Sequence, residues 1–341
     1  MTRIKKIPSG VASIEDVARV AGVSITTVSR VINQIGTVKE KNRVRVLNAV
    51  KELKFQPSIF AQRLATGKSN LVALIIPRYE GIFYSFYALE LIRATGNLCE
   101  VFKLDLLLHL TDSHTRNPLN LRGVGGLIFS DIIGTRFQVE EAVNSGMPTV
   151  IVNNYVKDLP VSCIAIDNAG GAESAVNYLV SLGHKKIAHI SGDVVTQAAA
   201  LRLEGYIKSL KKNNLPVKEE YILKTDYSRG QARSAAEALF KMPNPPTAVF
   251  VASDSMALEV MTLAREMGKN IPKDLSIIGF DDNPSGLYGP VSLTTIRQPL
   301  IKMAEEGVKE LNRLMASAKG TQVKKIILPT ELVVRESCHT L

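Results

Sequence analysis

Residues 13–33 restrict the fold of this chain most, because they predict two short helices joined by a tight turn. Ser13 suits the N-cap of the first helix, Gly22 suits the break and Ser24 suits the N-cap of the second helix. The inner face of the second helix holds Val28, Val31 and Ile32, and its outer face holds Ile25, Thr26, Ser29 and Arg30. A polar and basic outer face over a small apolar core is typical of a helix that enters the DNA major groove. DNA binding is therefore the leading hypothesis.

The positive charge of the chain is concentrated at its start. Residues 1–70 contain 13 Lys and Arg against 4 Asp and Glu, a net charge of +9, whereas the rest of the chain carries a net charge of only +1. Such a concentration attracts a polyanion, and the binding should weaken with salt. A solvated basic tail is the alternative, but apolar residues at helical spacing interleave with these charges.

Composition excludes several classes of protein. No apolar run is long enough to span a membrane, and the N-terminus lacks the apolar segment of a secretory signal. Cys99, Cys163 and Cys338 lie far apart without a CxxC pair, so neither a disulfide framework nor a zinc site is indicated. We expect a cytoplasmic protein without a cofactor or a membrane partner.

A third amphipathic helix is predicted from Val38 to Phe55. The residues predicted to face the core are Val44, Leu47, Val50 and Leu53. Those predicted to face solvent are Lys39, Arg43, Arg45 and Lys51. Pro57 ends this helix, and Ser58 can cap a further short helix that is too small to persist alone in water. That short helix is a candidate hinge.

From Leu71 onward, short apolar strands alternate with amphipathic helices. The predicted strands are LVALII, LDLLLH, GLIFS, TVIVN, KIAHIS, AVFVA and SIIGF. The predicted helices are AESAVNYLVSLG, RLEGYIKSLKKN, RSAAEALFKM and SMALEVMTLARE. This alternation favours parallel sheets covered on both faces, and its length favours two similar subdomains with a ligand cleft between them.

An enzyme is the strongest rival from another class, but the motifs that an enzyme of this fold would need are missing. No predicted strand is followed by GxGxxG or GxxxxGK[ST], and no GxSxG occurs. The five histidines are scattered, and His184 and His189 lack the spacing of a helical metal pair. We expect no catalytic residue and no metal ligand. A secreted binding protein is a second rival, which the basic first 70 residues disfavour.

With these patterns in view, residues 12–336 resemble transcriptional regulators of the lactose-repressor (LacI/GalR) family. The matching segments, in order, are IEDVARVAGVSITTVSRVIN, PSIFAQRLATGKSN, LVSLGHKKIAHISG, LRLEGY, AVFVASDSMALEVM, IPKDLSIIGFDD and LTTIRQP. The resemblance implies an N-terminal all-α helix-turn-helix domain plus an α/β two-lobed domain like periplasmic binding proteins. It also implies a homodimer on a near-palindromic operator in double-stranded DNA. The expected boundaries are 1–56 for the helix-turn-helix domain, 57–69 for the hinge helix and linker, and 70–341 for the two-lobed effector-binding and dimerisation domain.

The resemblance assigns DNA-contacting roles. Base edges would be read by Ile25, Thr26 and Arg30, and phosphates would be held by Ser24, Thr27, Ser29 and Asn33. In the hinge, Ala61 and Leu64 match residues at the minor groove, where a wedged leucine bends the duplex. The structural alternatives are a core position for Ile25 and ordinary packing between domains for Leu64.

The resemblance also places a small-molecule effector in the cleft, with a sugar or a sugar derivative as a candidate. The implied effector-binding residues are Phe83, Tyr84, Asp167, Arg202, Ser253 and Asp281. Arg202 is predicted to open a helix and Asp281 to follow a strand, which puts both at C-terminal strand edges. The alternatives are that Asp281 and Asp282 cap a turn, that Arg202 pairs with Glu204 or a nearby carboxylate, and that the aromatics belong to the core.

Three features depart from the family pattern. Arg78 begins a run in which family members commonly carry an acid, which leaves room for an anionic effector. Ser253 replaces a common asparagine, and the segment after Leu110 is short and polar, which indicates a truncated or missing helix. We expect a repressor whose operator affinity the effector sets. The alternatives are a regulator that uses a corepressor, an activator, and a small-molecule binding protein without regulated DNA binding.

Overall fold

The computed structural model describes residues 12–33, 35–55, 69–78, 85–112, 119, 121, 123–317 and 321–341. The chain divides into two compact units, Met1–Asn70 and Leu71–Leu341. The predicted hinge segment, including Ala61 and Leu64, lies outside the described residues, as do Phe83 and Tyr84 and most of the segment after Leu110.

The described part of the first unit is three helices around one small core. The helices are α1 (Ile14–Ala21), α2 (Ile25–Ile32) and α3 (Glu40–Glu52). Ser13 caps α1 with a reciprocal capping box to Asp16, and Gly22 ends α1 in the left-handed conformation at φ 60°. The buried apolar residues are Val17, Ala18, Ala21, Val28, Val31, Val46 and Ala49. The predicted pair of helices and its turn are thus confirmed.

The predicted inner stripe of α3 is wrong in part. Val44 and Leu47 are 48% and 53% exposed, whereas Val46 and Ala49 are buried against the other two helices. Val50 and Leu53 are partly buried against the same core. Two apolar rows run along this helix, and the one through Val46 faces the core. The helix is also shorter than the predicted span from Val38 to Phe55.

The second unit contains two six-stranded sheets. The first sheet has the order β11-β5-β4-β3-β1-β2 and the second has the order β12-β10-β9-β8-β6-β7. The strands of the first sheet are β1 (Leu71–Pro77), β2 (Asp105–Thr111), β3 (Gly126–Phe129), β4 (Thr149–Val152), β5 (Ser162–Ile166) and β11 (Lys325–Leu328). Those of the second are β6 (Ile187–Ser191), β7 (Ile222–Lys224), β8 (Ala248–Val251), β9 (Ser276–Asp281), β10 (Thr294–Arg297) and β12 (Glu331–Val333).

The pairing is parallel within both sheets except between β10 and β12, which are antiparallel. The helices between the strands are α4 (Phe86–Val101), α5 (Arg136–Asn144), α6 (Asn168–Ser181), α7 (Gln197–Lys212), α8 (Arg229–Phe240), α9 (Asp254–Glu266) and α10 (Leu300–Ala316). Fully buried strands such as Val72–Ile76 and Val249–Val251 show that helices cover the sheets. The expected α/β fold with two similar lobes is confirmed. No helix in the described part of the chain is long and apolar enough to cross a membrane.

The chain passes between the two lobes three times. It leaves the first sheet after β5 and enters α6, which packs on the second sheet. It returns after β10 into α10, which packs on β3, β4 and β5. It leaves again between β11 and β12, where the Thr330 hydroxyl donates to the carbonyl of Asp167 at 3.3 Å. The three crossings therefore converge beside the carboxyl ends of the strands.

Candidate nucleic-acid interface and ligand cleft

The second helix of the first unit presents a polar, open face. Ser24 caps α2 by accepting a hydrogen bond from the Thr27 amide at 3.2 Å, and the two hydroxyls are 2.9 Å apart. One turn further on, the Asn33 side-chain amide donates to the Ser29 hydroxyl at 3.2 Å. These bonds order the side chains, and the hydroxyl hydrogen that they leave unused can donate to an anion together with the amides at the helix N-terminus.

The residues expected to read base edges are exposed. Ile25 is 48% exposed, which excludes the alternative that it belongs to the domain core. Thr26 and Arg30 are exposed on the same helix, and Arg30 forms no ion pair with a residue in the described part of the chain. The exposed Ile25 side chain and the Thr26 methyl can contact a thymine methyl, and the Arg30 guanidinium can donate to guanine acceptors.

Sequence reasoning left Arg45 among the solvent-facing residues of α3, yet it reaches the turn between α1 and α2. A Cβ atom on Gly22 would overlap Nη2 of Arg45, so the guanidinium lies directly against the glycine. Only glycine combines the positive φ of this turn with that close approach. Arg45 thereby adds a cation beside the N-terminus of α2.

In the second unit, Arg202 is the buried cation at the strand ends, with 4% of its surface exposed. It does not open a helix as predicted, because α7 begins at Gln197 after the Thr196 cap, and Arg202 lies in its second turn. Its Nε donates to the Asn168 side chain at 2.8 Å and its Nη1 to the Ala252 carbonyl at 2.6 Å. The expected alternative, an ion pair with Glu204, is absent among the described residues.

The guanidinium of Arg202 also stacks over the ring of Phe280, 3.7 Å from the ring centroid. Phe280 precedes Asp281 in β9, so Arg202 contacts the first crossing, the end of β8 and the end of β9 together. Such fixed geometry places its charge without a carboxylate partner.

Asp281 ends β9 and bonds to the second crossing, since the Gln298 amide donates to its Oδ1. Burial raises the pKa of Asp281, and the charge of Arg202 and the Gln298 bond oppose that effect. Behind it, Asp254 is fully buried and accepts from the Thr295 hydroxyl at 2.6 Å and the Asn283 amide at 2.7 Å. Burial raises the pKa of Asp254 strongly, and repulsion from Asp281 adds to it.

The neighbouring carboxylate, Asp282, has the opposite environment. It accepts from Arg297 Nε at 2.6 Å and also pairs with Arg335. Although partial burial acts to raise its pKa, the hydrogen bonds from these arginines hold that pKa below its ordinary value. Asp282 is thus committed to a structural ion pair, and Asn283 rather than either aspartate caps the short helix that follows. Asp281, by contrast, forms no ion pair with a described residue.

Asp167 and Ser253 are both helix caps in the structure. The Asp167 side chain accepts from the Gly170 amide at 2.8 Å at the start of α6, and it remains exposed. Ser253 is 9% exposed and caps α9 through the Met256 amide at 3.4 Å. The residue of the first crossing that reaches Arg202 is Asn168, the neighbour of Asp167.

Tyr227 and Gln298 are cleft residues that sequence reasoning did not single out. The Tyr227 ring lies flat against Gly192, where a Cβ atom would overlap three ring carbons. Removal from water raises the pKa of Tyr227, with the charge of Arg202 opposing this and those of Asp281 and Asp131 reinforcing it. The glycine at the end of KIAHISG was the available sequence signal.

Asp131 extends the cleft into the first lobe. It follows β3, and it accepts from the Ile133 amide at 2.9 Å and from the Asn153 side chain at 3.4 Å. Burial raises its pKa, and these hydrogen bonds only partly offset the effect. Its charge raises the pKa of Tyr227 in the second lobe, as does the charge of Asp281.

Known proteins resemble both units. A sequence model described as bacterial regulatory proteins, lacI family, matches residues 13–58, and one described as a periplasmic binding protein-like domain matches residues 176–338. The transcriptional regulator DegA of Bacillus subtilis is 32% identical, covering 96% of this chain and 98% of DegA. Catabolite control protein A of Priestia megaterium is 34% identical, covering 95% and 98% of the two chains.

Among solved structures, the lac repressor dimer bound to operator and the anti-inducer ONPF has a TM-score of 0.80. It shares 27% identity and covers 97% of this chain and 100% of the repressor chain. DegA is named as a transcriptional regulator of the helix-turn-helix type. On these grounds the chain belongs to the lacI family of bacterial regulatory proteins and is a transcriptional regulator.

Proposed function

We propose that this regulator binds a near-palindromic operator as a homodimer and represses transcription in the bacterial cytoplasm, and that a small-molecule effector in the cleft sets its operator affinity. The observation that carries the DNA-binding part is the exposed face of α2, where Ile25, Thr26 and Arg30 are free of the core. The net charge of +9 on residues 1–70 supports it, because phosphate neutralisation supplies much of the affinity for DNA.

Within this proposal the residues of α2 have distinct roles. Arg30 donates to guanine O6 and N7, while Ile25 and Thr26 contact thymine methyl groups. The phosphate contacts, which fix the register of the helix without reading sequence, come from Ser24, Thr27, Ser29 and Asn33.

The proposed coupling runs through the segment between the two units. We assign residues 1–56 to DNA binding, residues 57–69 to the hinge, and residues 70–341 to effector binding and dimerisation. Ala61 and Leu64 are proposed to meet the minor groove at the operator centre. The effector is proposed to contact Arg202, Asp281 and Ser253, with Asp167 at the rim and Phe83 and Tyr84 from the first lobe.

The decisive experiment retains fragments of sheared genomic DNA on the purified protein at physiological salt and sequences them. Enrichment of a short near-palindrome supports the proposal, and the absence of any retained DNA refutes it. The Arg30→Ala variant should lose selectivity for the enriched site by about 1–3 kcal/mol while keeping non-specific affinity. Arg265→Ala, an exposed arginine on α9 of the second unit, is the charge-matched control and should bind the site as the parent does.

A further inference from the structure

The cleft contains carboxyl groups that no cation of the described residues pairs with. Asp254, Asp281 and Asp131 lie at the ends of β8, β9 and β3, and none forms an ion pair with a described residue. Their hydrogen-bond donors are all neutral: the Thr295 hydroxyl, the Asn283 amide, the Gln298 side chain, the Ile133 amide and the Asn153 side chain. Neutral donors satisfy lone pairs but bring no positive charge, so a carboxylate that ionises in this desolvated site is left uncompensated.

The cations of the neighbourhood are committed elsewhere. The Nε and Nη1 atoms of Arg202 donate to the Asn168 side chain and the Ala252 carbonyl, and its guanidinium stacks on the Phe280 ring. Arg78, which the sequence places at the end of β1, is exposed and pairs with no carboxylate in the described ranges. One buried guanidinium thus faces three carboxyls, so an anionic effector, which Arg78 alone would favour, finds an unfavourable field.

A second observation points to a donor in the ligand. Gln298 is 6% exposed, and its Oε1 is buried without a hydrogen-bond partner among the described residues. Its Nε2 is fixed on Asp281 because an ionised carboxylate can only accept, so the free oxygen is the other end of the same amide. An unpaired buried acceptor is rare in folded proteins. The Gln298 amide is bonded to the Asp281 carboxylate, which itself has no cationic partner among the described residues.

We propose that the effector carries a protonated amine, received by the Asp281 carboxylate and the Gln298 Oε1, with Asp131 facing it from the first lobe. An ammonium group offers three donors and the missing positive charge, whereas a hydroxyl offers one donor and no charge. Closure of the two lobes on such a group brings carboxyls from both sides towards one cation. This inference rests on the proposed function, because it names the chemical class of the effector for the same cleft.

The test uses the full chain and matched pairs of probes that differ only in carrying amines in place of hydroxyls, one in each sugar pair and two in the diamine pair. Thermal unfolding and calorimetric titration compare D-glucosamine with D-glucose, D-galactosamine with D-galactose, and putrescine with 1,4-butanediol. Glucose 6-phosphate and magnesium chloride serve as the anionic and the metal probe. We expect the amine of at least one pair to bind at least tenfold more tightly than its hydroxyl partner.

Two variants, one of a carboxylate and one of an amide, make the test specific to the cleft. Asp281→Asn should reduce that amine preference at least tenfold, and Gln298→Met should weaken the amine without improving the hydroxyl partner. Asp282→Asn is the matched control, because its carboxylate is already paired with Arg297 and Arg335 and the amine preference should survive.

The proposal is overturned if no amine binds, if a hydroxyl partner, the phosphate or magnesium binds more tightly than every amine, or if Asp282→Asn abolishes the preference as fully as Asp281→Asn. Operator binding by the same preparations distinguishes failure of the amine inference from failure of the proposed function. Release of the operator by a neutral sugar sinks the amine inference and leaves the proposed function intact. Failure to retain DNA sinks the proposed function whatever the amines do.

Discussion

The Gln197 side chain pairs with both backbone polar groups of Tyr155. Its Oε1 accepts from the Tyr155 amide at 2.7 Å and its Nε2 donates to the Tyr155 carbonyl at 3.1 Å. Tyr155 follows β4 of the first lobe, and Gln197 opens α7 of the second. This two-bond contact therefore joins the two lobes.

Gln197→Ala is expected to loosen the closed arrangement of the lobes. Two hydrogen bonds at roughly 1 kcal/mol each would shift the balance between closed and open lobes by about 2 kcal/mol, or some thirtyfold. Hydrogen exchange at the Tyr155 amide should accelerate accordingly. Gln231→Ala is the control, since that glutamine bonds to Asp226 on the exposed surface of α8. Unchanged exchange at Tyr155 in Gln197→Ala would rule the contact out as a latch.

Gly192→Ala should destabilise the second unit through the ring of Tyr227. The added methyl overlaps three ring carbons, so the ring has to leave its place, at a cost of about 1–3 kcal/mol. In a Tyr227→Ala background the same change should cost almost nothing, which a double-mutant cycle from urea unfolding measures.

Gly230→Ala provides the matched control for this cycle, because nothing lies within 4 Å of a methyl at that position of α8. It should be neutral or slightly stabilising, as alanine favours a helix. Equal costs of Gly192→Ala with and without Tyr227 would show that the overlap with the ring is not the cause.

The sequence predicted the local structure where one residue decides it. Ser13, Gly22 and Ser24 cap or break helices through their own chemistry, and the structure confirms all three. The start of α7 was misplaced because residues 198–200 are alanines, which favour a helix but carry no apolar period. Apolar strands such as Ser162–Ile166 were missed because their neighbours in the sheet, β4 and β11, determine them as much as their own residues do.

The cleft was only partly predictable for a related reason. Arg202 and Asp281 stand near family motifs, yet Gln298 matters through its bond to Asp281, 17 positions earlier. Tyr227 likewise matters through Gly192, which lies in a different strand-to-helix connection. Contacts between distant positions come from the sheet order, which a single sequence does not display.

The two apolar rows of α3 give a direct test of the corrected packing. Val46→Ala should cost about 2 kcal/mol, because it empties space in the small core formed with α1 and α2. Leu47→Ala removes a larger side chain that is 53% exposed, and it should change the free energy of unfolding by less than about 0.5 kcal/mol. Thermal unfolding of the first unit within the full chain measures both. A larger loss of stability in Leu47→Ala than in Val46→Ala would instead support the inner face that the sequence pattern predicted.

His189 should make the second unit lose stability as the pH falls. Its ring is fully buried, stacked 4.7 Å from Phe250 and 5.2 Å from Tyr206, and Nδ1 bonds to the Phe250 carbonyl at 2.9 Å while Nε2 has no hydrogen-bond partner. Burial lowers the pKa of His189 to about 4. The unfolded chain takes up the proton near pH 6.5 and the folded chain only near pH 4, so stability is full above the first value and falls between the two.

A shift of this size corresponds to about 3 kcal/mol of stability lost across that window. His189→Asn keeps a side-chain donor for the Phe250 carbonyl and cannot titrate. It should be less stable than the parent at pH 8 by about 2 kcal/mol because of the smaller side chain, yet its urea midpoint should fall less between pH 6.5 and pH 4.5. The two curves should therefore converge as the solution is acidified. Parallel curves would mean that the imidazole gains its proton equally well in the folded and unfolded chain, and that its burial does not govern the pH response.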